Sequence, residues 1–293
     1  MLFAVATLAA VLAAQPALPD NASGLGQAED GRRTIDVLIN GEGPWPFVID
    51  TAASHTSLAE PLAVHFGFEP SGRLSDVQTL TAQIRSERLA LDTIDFGAGV
   101  ARDLNAVVVA VPSDIDLDVY GLLGNDAFGN RTALIDLAGG RLTLDVPPPR
   151  RADARIDPVH NVPLATVAAS RVGRDIPALI DTGSPRSLVT SAFADNIRNT
   201  GIRVDFSVMG VSQAGETVET RRAVRLREVR VGGVCLRGLE PIVADVDVFR
   251  ALGWNDRPAM LIGMDALDGA SIVIDHATGW VEISPSEGHR CQS

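Results

Sequence analysis

Ala178-Leu-Ile-Asp-Thr-Gly-Ser-Pro-Arg-Ser-Leu188 decides the reading of this chain, because Phe47-Val-Ile-Asp-Thr-Ala-Ala-Ser-His-Thr-Ser-Leu58 is nearly the same segment met earlier. Two further stretches repeat in the same order. Tyr120-Gly-Leu-Leu-Gly-Asn-Asp-Ala-Phe128 matches Ala259-Met-Leu-Ile-Gly-Met-Asp-Ala-Leu267. ALIDLAGGRLTL (133–144) matches SIVIDHATGWVEI (271–283). Asp50 and Asp181 lie 131 positions apart, whereas Gly124–Gly263 and Asp136–Asp275 are each separated by 139. Three ordered blocks mark an internal repeat, so the chain is two copies of one unit. The difference in offset is a loop insertion between Asp181 and Gly263.

Working outward, the spacing sets the organisation. Residues 1–17 are expected to be a signal peptide: LFAVATLAAVLAA (2–14) is apolar but too short for a bilayer span, which needs about 20 residues. One copy is expected over 30–146 and the other over 155–286. They are joined by a Pro-rich linker at 147–154, read from the stretch Val146-Pro-Pro-Pro-Arg-Arg-Ala-Asp153 that separates the copies. Apolar alternation predicts strands at 33–39, 88–96, 104–111, 222–231 and 240–246. Short helices are expected at 59–66 and 191–199, and after Gly124 and Gly263. The fold class is therefore all-β, as two barrel-like lobes related by a pseudo-twofold repeat.

Composition removes several functions. With 37 acidic and 25 basic residues the net charge is −12, so a cationic footprint for nucleic acid or anionic membrane is missing. All 25 basic residues are arginine, which excludes lysine Schiff-base chemistry. Two cysteines are too few for a disulfide scaffold or a zinc cluster, and the five histidines show no metal-ligand spacing. Export would let Cys235 and Cys291 pair; two free thiols are the other reading.

The chemistry centres on Asp50 and Asp181. Each ends an apolar strand and enters a turn of small residues, whose backbone N–H groups can hold a carboxylate that burial would otherwise make costly. If the copies face each other, the two carboxyls meet and share one proton. One then serves as base toward water while the other donates to a carbonyl. Asp136 and Asp275 also recur, but each precedes a tight turn and reads as a turn cap. His55 reads as a surface group near the site.

Each copy resembles the aspartic peptidases, in particular the retropepsin-like kind found in bacteria. Asp181-Thr182-Gly183-Ser184 fits the family pattern fully, with Leu261-Ile262-Gly263 as its later partner. Asp50-Thr51-Ala52-Ala53 fits with one departure, with Leu122-Leu123-Gly124 as partner. The resemblance spans roughly 30–285. It implies that Asp50 and Asp181 are catalytic and bind the attacking water. It implies that Thr51 and Thr182 cross-brace the active-site loops, with Ala52, Gly183 and Ser184 as loop support. It implies a hairpin flap, for which Val77–Ser86 and Met209–Val218 are the candidates. No metal or organic cofactor is implied.

Ala52 stands where the family prefers glycine. Its N–H still serves Asp50, but its methyl is expected to crowd the site and to resist the backbone angles that glycine accepts. Ala53 also lacks the hydroxyl that Ser184 is expected to offer its aspartate. The expected function is an exported aspartic endopeptidase in the envelope space of a Gram-negative bacterium, or secreted. It would act as a monomer on protein or peptide substrates, with no nucleic-acid partner and no membrane contact after signal cleavage. The alternative is a degenerate copy that binds peptides or proteins without cutting them.

Overall fold

The computed structural model describes residues 18–110, 118–169, 172–197, 201–209 and 217–285. The expected signal peptide, Cys291 with its pairing, and most of the tip of the second flap candidate lie outside these residues.

The first lobe is a six-stranded barrel. Its strands are Arg33–Ile39, Glu42–Ile49, Gly121–Leu123, Ser57–Ala59, Val100–Val109 and Arg88–Asp95, and the last pairs back onto the first. Alternation drives it: Ile35, Val37 and Ile39 point inward from one strand, against Phe47 and Ile49 from the next, all essentially inaccessible to solvent. The second lobe repeats this order with Pro163–Ala169, Gly173–Ile180, Met260–Ile262 and Leu188–Val189. There the long strand of the first lobe is cut into Val234–Arg237 and Ile242–Val243. Gly238 turns at φ +67° between them, and Pro241 has no N–H to donate to a ladder.

Between the lobes lies a shared sheet. Thr132–Asp136 runs antiparallel to Ala270–Asp275, with Leu134 opposite Val273. These two residues are separated by the repeat offset of 139, so the pseudo-twofold axis passes between them. Arg141–Leu144 and Ala22–Gly24 extend the sheet on one side, and Trp280–Pro285 and Ala154–Ile156 on the other. The expected turn caps are present. Asp136 accepts from Gly139 N at 3.0 Å, and Asp275 accepts from Ala277 N at 3.0 Å and Thr278 Oγ1 at 2.7 Å.

The helices expected after the Asp-Thr segments form at Glu60–His65 and Ser191–Asp195. Those after the glycines form at Asn125–Phe128, as a 3₁₀ turn, and Met264–Leu267. Two strand expectations need correction. The stretch 222–231 is two strands, Thr217–Val224 and Glu228–Val231, because Leu226 N leaves the ladder to bond Leu239 O at 2.8 Å. The stretch 240–246 holds only the short strand Ile242–Val243 and leads into a helix, Asp247–Ala251, which the apolar pattern does not signal.

Candidate active site

Each aspartate is placed by a strand that stops beside its copy's apolar-apolar-glycine segment. Asp50 N bonds Leu123 O at 3.1 Å, and Asp181 N bonds Ile262 O at 3.0 Å. The chains then turn inward, and the two loops meet on the pseudo-twofold axis.

The threonines bind the loops together. Thr51 Oγ1 donates to Ile180 O (2.8 Å) and accepts from Thr182 N (3.1 Å). Thr182 Oγ1 donates to Ile49 O (2.6 Å) and accepts from Thr51 N (3.1 Å). Both side chains are buried, so each hydroxyl satisfies one donor and one acceptor of the opposite loop that water cannot reach.

On this brace the carboxyls of Asp50 and Asp181 face each other, close enough that each alters the other's titration. Asp50 Oδ1 accepts from Ala52 N (2.8 Å) and Ala53 N (3.0 Å); Asp181 Oδ1 accepts from Gly183 N (2.8 Å). Burial holds Asp50 above the ordinary carboxylate range, although the Ala52 N–H and the Arg32 guanidinium pull it down. Burial, and then the Asp50 charge, push Asp181 well above that range. Two such groups lose their protons as a pair.

Glycine and alanine play different parts from those expected. Neither Gly183 nor Ala52 has positive φ, so neither loop needs glycine's backbone freedom. What Gly183 supplies is space: a Cβ there would lie 2.2 Å from Asp50 Cγ. Ser184 also differs, because its hydroxyl donates to Arg186 O at 2.8 Å. The help that Asp181 receives from Ser184 is the backbone N–H.

Two carboxylates that the sequence reading left without a role support the loops from behind. Asp126 Oδ1 accepts from Thr56 N and Thr56 Oγ1, both at 2.7 Å. Asp265 Oδ1 accepts from Ser187 N (2.8 Å) and Ser187 Oγ (2.6 Å). The same hydroxyls take the N–H of Gly124 (3.2 Å) and Gly263 (3.1 Å). The signal was present, since each copy carries Asp two residues after that glycine.

A cavity of about 310 Å³ opens beside the dyad on the Ala52 side. Val107, Val162, Leu179 and Leu252 contribute to its walls, with His55 exposed at its edge. Its roof is a hairpin, Ser75–Gln78 paired with Gln83–Ser86, which contains the first flap candidate, Val77–Ser86. The hairpin tip reaches the other lobe: Val248 N bonds Leu80 O at 3.1 Å, and Gln78 Nε2 bonds Asp247 Oδ2 at 2.9 Å.

Comparison with known proteins agrees with this geometry. Residues 35–130 match the family described as "gag-polyprotein putative aspartyl protease". Residues 167–266 match the family described as "Aspartyl protease". The chain therefore carries two tandem aspartyl-protease domains, one in each lobe. No curated protein sequence is detectably similar to it.

Proposed function

We propose that the protein is an aspartic endopeptidase that hydrolyses peptide bonds with a water held between Asp50 and Asp181. The observation that carries this reading is the dyad: two electrostatically coupled carboxyls on a doubly braced pair of loops, both raised by burial. In the singly protonated pair, the ionised carboxylate takes a proton from water as its oxygen attacks the carbonyl carbon. The protonated partner donates to the carbonyl oxygen. Collapse of the tetrahedral intermediate breaks the C–N bond, and a proton passes to the leaving amine. One chain holds both halves, so a monomer suffices. The apolar run at 2–14 supports export, with the bacterial periplasm as the compartment.

The test is incubation of the purified protein with a diverse peptide mixture across a pH series, beside Asp181→Asn. New termini are read by mass spectrometry. The expected outcome is cleavage by wild type alone, with a bell-shaped pH profile set by the pair. Folded protein that cuts nothing at any pH would overturn the reading and leave a cleft that binds without cutting.

A further inference from the structure

The two ends of the cleft are built by one turn used twice. In the first lobe, Ala28 N bonds Arg32 O at 2.9 Å, and the strand Arg33–Ile39 follows at once. In the second, Asp157 N bonds Val162 O at 2.9 Å, and the strand Pro163–Ala169 follows at once. Arg32 and Val162 are therefore counterparts across the pseudo-twofold axis. Val162 is buried and lines the apolar cavity on the Ala52 side of the dyad. Arg32 stands on the Gly183 side, with Nη1 3.5 Å from Gly183 O.

The arginine is held in place. Asp30 accepts from Arg32 N (3.1 Å) through Oδ1 and from Arg32 Nε (2.7 Å) through Oδ2, and the Arg32 side chain is only 23% exposed. Its field reaches both Asp50 and Asp181. Of its five N–H donors, two are used; both on Nη2 and one on Nη1 have no partner among the described residues. A fixed guanidinium with free donors beside a reaction centre is built to take a carboxylate.

We infer that Arg32 makes the Gly183 side of the cleft a carboxylate subsite, so that the preferred peptide places a carboxylate on that side of the scissile bond and an apolar side chain on the other. The carboxylate comes either from an Asp or Glu side chain or from the peptide's own C-terminus. The cleavage consequence rests on the peptidase reading; the binding consequence does not.

The experiment has two arms. In the first, matched peptides carrying Glu or Gln on either side of the cleaved bond, each with a free or amidated C-terminus, are compared by kcat/KM. Wild type is expected to prefer the carboxylate by about tenfold or more, as a charge-assisted contact supplies. Arg32→Gln should bring that ratio near one, and Arg32→Glu should transfer the preference to peptides with Arg at the same position. A preference for Glu over Gln, or one that needs the free C-terminus, identifies the source. In the second arm, Asp181→Asn, verified as folded, is titrated with the same fluorescently labelled peptides, with and without Arg32→Gln. Carboxylate-selective, Arg32-dependent binding by Asp181→Asn, when wild type also cuts none of the peptides, would support the subsite and sink only the peptidase reading. Equal handling of Glu and Gln peptides in both arms, or a preference that survives Arg32→Gln, overturns the subsite.

Discussion

The loop at Asp181 and the loop at Asp50 descend from one sequence pattern, yet they solve the same packing problem differently. The Asp181 loop uses glycine, and the Asp50 carboxylate lies where a Gly183 methyl would be. The Asp50 loop carries Ala52 at the matching position, with its N–H donating to Asp50 Oδ1 at 2.8 Å. Each loop is tied to the opposite lobe by a different bond. Arg32 reaches Gly183 O, whereas Asn125 Nδ2 donates to Thr51 O (2.8 Å) and Asn161 O (2.9 Å) on the other side. The brace of threonines is common to both. The comparison teaches that the bracing is the same in both halves while the residue beside the carboxylate differs.

The largest effect should come from equalising the loops in the wrong direction. Gly183→Ala puts Cβ 2.2 Å from Asp50 Cγ, far inside any non-bonded carbon–carbon contact, so the Asp50 carboxyl must shift and the dyad open. Loss of the geometry on which acid–base transfer depends is expected to lower kcat about 10²–10⁴-fold. Ala52→Gly makes the other half match and should change kcat by less than about threefold, with a stability cost of about 0.4–1 kcal/mol from the freer unfolded chain. Steady-state kinetics on a peptide cut by wild type checks both. A hundredfold gain in Ala52→Gly would reverse the comparison and mark Ala52 as the defect.

What the sequence made legible was what the two copies share. Asp50, Asp181, Thr51 and Thr182 recur at one offset, and the pairing of Leu134 with Val273 follows from another. The site's differences were harder to see because no second copy marks them. Arg32 lies in an irregular turn, and its reach to Gly183 depends on how the lobes face each other. The helix Asp247–Ala251 has one fully buried residue, Phe249, too few for a helical stripe to stand out. The hairpin tip touches it through Leu80 and Gln78, contacts 169 residues apart in the case of Gln78 and Asp247. Asp126 and Asp265 were the exception, since they do recur; an acidic residue in a helix's first turn reads as dipole complement before it reads as a loop anchor.

The threonine brace predicts equality where the glycine–alanine pair predicts difference. Thr182→Val leaves Ile49 O and Thr51 N without partners; Thr51→Val leaves Ile180 O and Thr182 N in the same state. Each should destabilise by about 1–3 kcal/mol, the cost of stranding buried polar groups. Because the four bonds form one network, the double variant should lose less than the sum of the singles. Serine at either position keeps the hydroxyl and should recover most of the loss. Urea unfolding midpoints decide it, and unequal costs for the two single variants would show that the brace is not symmetric.

The smallest effect concerns the charge that the two halves share. Asp181 is buried and its carboxyl is held well above the ordinary range, so the folded state binds its proton more tightly than the unfolded chain does. The resulting stability is complete below the unfolded carboxylate value of about 4 and is lost as pH rises through the folded value. Asparagine cannot ionise, so Asp181→Asn escapes that loss. Its melting temperature should exceed that of wild type by roughly 2–4 °C at neutral pH, and the two should converge in acid. Asp50→Asn should also gain at neutral pH, since it removes the neighbouring charge that raises Asp181. If Asp181→Asn melted below wild type at neutral pH, the ionised pair would be a stabilising element of the fold, and the raised titration of Asp181 would have the opposite sign.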